Sequence, residues 1–320
     1  MGVGEVRIRE IDFLKAVLII LMVSFHLVYF EHLHPYAKQV VYTFHMPGFL
    51  LLSGFLMKTE RPARPFLRTM LWLAVPYVVM ESGYIIMASV LPINEHIDQL
   101  TPTVFLDRLL LHPLGPYWYL HTMVLCGLTY YGVSRISRCS TVSRFLLTGI
   151  LFLGYAYVLG IVSPANALYF LSGAVIRQSR IPLLTIFQAS PLAVVAFAVL
   201  VMPGVEPLSP LILYCAFSGL LFCYPYVRGR LRAVMLFLGR NTLPLFLFSP
   251  LFTILCKQLV PYVQFDPTGL VFLAISLTVC IAGSLGVAWL LDTCHMSPLL
   301  FGRQRVIAGV AADTAKSQSC

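Results

Sequence analysis

A chain of 320 residues in which 59% are apolar and 11% charged, with a mean hydropathy of +0.85, has too few polar side chains to cover a globule. That balance excludes an ordinary soluble domain and leaves room for about ten helices of about 20 residues with little besides. The net charge of +9 would suit nucleic acid only if the basic residues gathered on one soluble face, and their spacing along the chain points to membrane topology instead.

Apolar runs between polar or Pro/Gly punctuation predict an all-α polytopic transmembrane bundle. The expected spans are roughly 11–30, 40–57, 68–91, 117–134, 145–161, 164–177, 181–202, 208–226, 242–259 and 269–291. The first run is too long for a signal core and no Ala-x-Ala-like site closes it, so it is expected to stay as a span. Residues 1–306 read as one transmembrane domain and 307–320 as a disordered polar tail. With the N-terminus in the cytoplasm, nineteen of the 22 Lys and Arg fall inside and only Lys38, Arg108 and Lys257 outside. Both termini are therefore expected in the cytoplasm and the number of spans to be even. The stretch Val104–Leu111 in the longest outer connection reads as an interfacial helix.

Two residues interrupt the first span. Lys15 and His26 are eleven steps apart, three helical turns plus about 20°, so one continuous helix would put both on one face about 16 Å apart. Ionisable groups at membrane depth cost about 3 kcal/mol or more each, so that face is expected against protein. The topology joins His45, Glu81, Trp118, Tyr119 and His121 to His26 in the outer half of four consecutive spans. Plainer readings stand beside each. A histidine near a span end also suits the interface, Trp118 an aromatic belt, Glu81 a pairing with His or Arg, and Lys15 a snorkelling cation. Ser53-Gly54 and Ser172-Gly173 read as small residues at helix contacts. Cys126, Cys139, Cys215, Cys223, Cys256, Cys280, Cys294 and Cys320 show no metal-ligand spacing and read as small reduced hydrophobes. His26, His45 and His121 lack the signature of a zinc site, so no metal is expected.

Several segments resemble the acyltransferase family 3 membrane proteins. They are Arg9-Glu-Ile-Asp12 leading to Lys15 and His26, Phe44-His-Met-Pro-Gly-Phe49, Leu52-Ser-Gly-Phe55, Val75-Pro-Tyr77, Gly115-Pro-Tyr-Trp-Tyr-Leu-His121 and Leu238-Gly-Arg-Asn-Thr-Leu-Pro-Leu-Phe246. The His-Met-Pro segment followed by Ser-Gly is most similar to the fucose 4-O-acetylase group. The resemblance implies ten spans in a bacterial inner membrane and transfer of an acyl group, usually acetyl, from cytoplasmic acyl-CoA to a hydroxyl of a glycan or lipid-linked sugar at the outer face. The family's motif of a basic residue, a ten-residue gap and a histidine falls on Lys15 and His26, with Lys where Arg is common. The chain departs from the family at Ser249, where a histidine is frequent, and no hydrolase-like domain follows the tenth span, so a second acyl-transfer step is expected either to use an envelope partner protein or to be absent.

On this reading Arg64, Arg68 and Arg240, with Lys15, receive the donor phosphates. His26 takes the proton of the attacking hydroxyl or carries the acyl group, Glu81 or His45 orients it, and Trp118, Tyr119 and His121 meet the sugar. The rival class is a transporter or flippase of a sugar or related solute.

Overall fold

The computed structural model describes residues 7–90, 95–136, 140–205 and 207–309; Arg138, Cys139, Glu206, Lys316 and Cys320 lie outside them. The described residues are all-helical, without a strand. In chain order the helices are α1 (Arg9–Ser24), α2 (Val28–Leu33), α3 (Pro35–Tyr42), α4 (His45–Leu56), α5 (Ala63–Val90) and α6 (Pro102–Leu110). Then come α7 (Trp118–Ser134), α8 (Thr141–Tyr157), α9 (Pro164–Gln178), α10 (Leu183–Ile186), α11 (Pro191–Leu200) and α12 (Ser209–Cys223). The chain closes with α13 (Gly229–Arg240), α14 (Thr242–Cys256), α15 (Val260–Val263), α16 (Leu270–Thr293) and α17 (Ser297–Phe301).

Five helical stretches are long and apolar enough to cross a membrane: Pro35–Leu56, Ala63–Val90, Ser209–Tyr226, Thr242–Val263 and Leu270–Thr293. Thr141–Tyr157 and Pro191–Leu200 are apolar but shorter. Exposed Leu71, Val79 and Ile86 on α5, and Ile275, Val279 and Trp289 on α16, give these helices apolar outer faces, as lipid contact requires.

Three expected spans break where one helix was anticipated. The first stops at Ser24 and resumes at Val28, so the three-turn arithmetic no longer aligns His26 with Lys15. The second breaks at Thr43 and Phe44, because Pro47 has no N–H to give and its ring would collide with the carbonyl four residues back. The seventh breaks before Pro191, which begins α11 and holds Ser190 extended at φ −145°. The expected interfacial helix is α6, its N-terminus capped by Thr101 Oγ1 accepting from Val104 N at 3.2 Å.

The chain divides into two compact units. The first takes Met1–His45, Leu184–Ser297 and Arg303–Cys320. Its central helix is α1, with Leu14, Ala16, Leu18 and Met22 buried and the helix packed against α12, α13, α14 and α16. Asn241 and Asp292 hold the segment after Arg305. Asn241 accepts from Ala308 N at 2.8 Å and donates to its carbonyl at 3.3 Å, while Asp292 accepts from Val306 N at 2.7 Å and Ile307 N at 3.1 Å. Ile307 and Ala308, placed in the tail by composition, are thus fastened; 310–320 lie outside the described residues.

The second unit takes Met46–Leu183 and Pro298–Gly302. Leu50, Phe66, Met70, Phe152 and Phe170 are buried at its centre, on α4, α5, α8 and α9. A side chain at Gly54 would strike the Phe170 carbonyl on α9, and one at Gly173 would strike the Leu51 carbonyl on α4. Both Ser-Gly pairs therefore sit where two helices touch at backbone distance.

Candidate active site

The end of α1 explains how His26 is set. The backbone N–H of His26 turns to Val23 O at 3.2 Å instead of continuing the helix to Met22 O, and the imidazole Nδ1 takes the released carbonyl at 2.7 Å. At the end of α3 the imidazole of His45 likewise meets the carbonyl four residues back, Nδ1 lying 2.8 Å from Val41 O, which also accepts from Phe44 N at 3.2 Å. A carbonyl oxygen only accepts, so each neutral ring carries its proton on Nδ1 and its lone pair on Nε2. Tyr42 lies between the two rings. Its centroid is 6.4 Å from that of His26 with the planes 29° apart, and 4.9 Å from that of His45. Its hydroxyl donates to Phe25 O at 3.2 Å, and Lys38 Nζ, which pairs with Glu31 at 3.0 Å, stands 5.4 Å from its ring centroid. Nε2 of His45 is buried without a hydrogen-bond partner among the described residues.

Lys15 belongs to a different local arrangement within the same unit. Asp12, buried in the first turn of α1, accepts from Arg7 Nη2 at 3.0 Å and from Lys15 Nζ at 3.2 Å, and Arg240 Nε is 3.7 Å away. Three cations share one buried carboxylate. Gly239 permits the approach, because a side chain there would strike the Asp12 carbonyl. In Leu238-Gly-Arg-Asn241 the glycine thus makes the close contact, the arginine the ion pair, and the asparagine the grip on Ala308.

The sequence profile of acyltransferase family 3, described as an acyltransferase domain, matches residues 8–289. The chain belongs to this family. No characterised protein and no solved structure matches it. The family match supports transfer of an acyl group and gives the transporter reading no support.

The remaining candidates of this acyltransferase collect in the second unit, around the connection from α6 to α7. Tyr77 Oη donates to Leu109 O at 2.6 Å, and His121 Nε2 meets Leu110 O at 2.9 Å. Glu81, fully buried, accepts from Leu114 N at 2.6 Å, and Glu95 accepts from Gly115 N at 2.6 Å. Four side chains thereby fix the backbone of residues 109–115. Glu81 and His121 come together here, whereas His45 joins His26 in the other unit. Tyr119 bonds Ser53 Oγ at 2.6 Å and its ring lies 5.9 Å from Phe49, which ties α7 to α4; Trp118 meets Tyr119 edge-on at 6.5 Å.

Of the expected phosphate-binding cations, Arg240 sits in the buried Asp12 cluster, while Arg64 and Arg68 lie exposed on α5. With Leu67, Leu71 and Trp72 they line an open groove of about 580 Å³. Ser249 is buried in α14. Four of the six described cysteines are buried, with Cys223 and Cys294 exposed, and no metal-binding cluster occurs among the described residues. Sequence reasoning passed over Asp12 and Tyr42. An acid in a first helical turn reads as an ordinary partner of the helix dipole, and a tyrosine before a break reads as interfacial. The signal for both was their spacing, Asp12 three residues before Lys15 and Tyr42 three before His45.

Proposed function

We propose that this acyltransferase is a multi-pass bacterial inner-membrane O-acetyltransferase of ten spans with both termini in the cytoplasm. It takes the acetyl group from cytoplasmic acetyl-CoA and places it on a hydroxyl of a surface glycan or lipid-linked sugar at the outer face, as in the fucose 4-O-acetylase group that its His-Met-Pro segment resembles.

The observation that carries this reading is the Nδ1 contact of His26 with Met22 O, which leaves Nε2 as a proton acceptor. Nε2 takes the proton of the acceptor hydroxyl as its oxygen attacks the thioester carbonyl. The tetrahedral intermediate collapses by expelling the coenzyme A thiolate, which recovers the proton from the imidazolium. His45, held in the same tautomer across Tyr42, keeps a second lone pair nearby. Lys15 and Arg240, gathered on Asp12, supply positive charge for the polyanionic donor.

The test incubates purified protein with labelled acetyl-CoA, with and without a glycan extract, and follows free coenzyme A and label on the glycan. Acceptor-dependent transfer that disappears in His26→Ala supports the reading. Undiminished transfer in that variant, at matched amounts of membrane-inserted protein, overturns it.

A further inference from the structure

The break between α1 and α2 leaves carbonyls at the end of α1 without the amides that a continuing helix would bring. His26 N and Leu27 N turn back only three residues, to Val23 O at 3.2 Å and Ser24 O at 3.3 Å. The His26 ring meets Met22 O, and the hydroxyl of Tyr42 donates to Phe25 O at 3.2 Å. Tyr42 is the last residue of α3, so the end of one interrupted span is fastened to the end of another through the residue that precedes His26.

The ring of Tyr42 adjoins both imidazoles, its centroid 6.4 Å from that of His26 and 4.9 Å from that of His45. Lys38 Nζ, tied to Glu31 at 3.0 Å, stands 5.4 Å from the same centroid and steadies the ring as a cation over an aromatic face does. Tyr42 is nevertheless 41% exposed, so it contributes little buried area to the unit. Its contacts fix orientation rather than build core.

Orientation is what His26 lacks by itself. The bond to Met22 O restrains one edge of the imidazole, and the terminal torsion of a histidine is intrinsically broad. A general base acts only within about 2.6–3.2 Å of the proton it takes, and a misplacement of about 1 Å costs about 100-fold in rate. We propose that Tyr42 is a positioning residue for the transfer: its hydroxyl fixes the peptide that carries His26, and its ring fixes the plane of the imidazole. The inference rests on His26 as the general base and deepens that reading by naming the residue through which the base is aimed.

Two readouts on the full chain in detergent test it. One is steady-state transfer from labelled acetyl-CoA to a glycan extract; the other is the nitrogen chemical shifts of protein labelled in its histidine rings, with His26→Asn assigning the His26 signal. Tyr42→Phe keeps the ring and loses the hydroxyl, and its kcat should fall about fivefold, as one hydrogen bond contributes. Tyr42→Leu loses both, and kcat should fall about 100-fold with KM for acetyl-CoA unchanged. Its His26 signal should move from a single Nδ1-protonated form to a mixture of tautomers. Tyr36→Phe removes another hydroxyl bond of α3, to Val201 O, and should leave kcat as it was. A wild-type kcat per folded molecule in Tyr42→Leu, or a raised KM alone, would overturn the positioning role. So would a His26 signal in that variant identical to wild type, whatever the activity. A wild type that transfers nothing would overturn the functional reading, and the nitrogen shifts would still decide Tyr42.

Discussion

Arg240 and Asp12, separated by most of the chain, lie 3.7 Å apart, and Gly239 beside Arg240 has no side chain because the Asp12 carbonyl occupies the space a Cβ would need. Two consecutive residues of α13 thus meet one residue of α1, one through backbone contact and the other through charge.

Removing the charge of Asp12 leaves Arg7, Lys15 and Arg240 facing one another around a neutral group. Asp12→Asn should lower stability by about 3 kcal/mol or more, because a partnered buried charge is lost and its partners stay behind. Thermal unfolding in detergent reads this as a clear fall in midpoint. Lys15→Ala should lower it less and Lys15→Arg least, while donor use falls more in Ala than in Arg; equal activity in the two would reduce Lys15 to a boundary cation.

Gly239→Ala forces α13 away from α1, and Gly173→Ala does the same between α9 and α4. Each should cost about 1–3 kcal/mol, as overpacking does. The comparison is Gly286→Ala, on α16, where a Cβ meets nothing within 4 Å and unfolding should be unchanged or slightly delayed. Equal midpoints in all three variants would contradict the close approaches.

For His26, loss of a general base lowers the rate about 100- to 10,000-fold. His26→Asn isolates the proton transfer better than His26→Ala, because its amide nitrogen, bonded to Cγ as Nδ1 is, can still donate to Met22 O while offering no base. Transfer should therefore fail in both, with the midpoint lowered mainly in Ala. Nitrogen chemical shifts of the wild-type ring should show the proton on Nδ1 at neutral pH; a proton on Nε2 alone would remove the base.

Glu81 accepts from Leu114 N, a bond that glutamine can keep through its carbonyl oxygen and alanine cannot. Glu81→Ala should speed hydrogen exchange across residues 109–115, and Glu81→Gln should leave it close to wild type. Similar protection in both would dissociate the carboxylate from that segment.

Much of the helical layout was legible because it rests on apolar runs: the ten expected stretches each contain helix, three of them interrupted, and five helical stretches are long and apolar enough to cross a membrane. The breaks were not. Pro191 announces its own, and Pro47 announces the break at Thr43 and Phe44 to a reader who counts four residues back. Nothing comparable precedes Phe25, where the local sequence Met-Val-Ser-Phe-His-Leu is uninterrupted and the imidazole itself takes over a backbone bond. Among the site residues, Lys15 and His26 stood out because charge in an apolar run is conspicuous. Their separation into an ion cluster and a helix end was invisible to a periodicity that assumed one continuous helix. Glu81 and His121 drew notice for the same reason, but their partners are backbone groups of residues 109–115, which sequence patterns do not identify.

The hold of Asn241 and Asp292 on residues 306–308 bears on how the enzyme can be trimmed or tagged. Ending the polypeptide at Arg305 would strip three amide donors from two side chains, leaving Asn241 in a dry interior with its oxygen facing no hydrogen. A fusion joined after residue 309 keeps all three, so a reporter belongs there, and a version cut four residues earlier should express poorly in the same host.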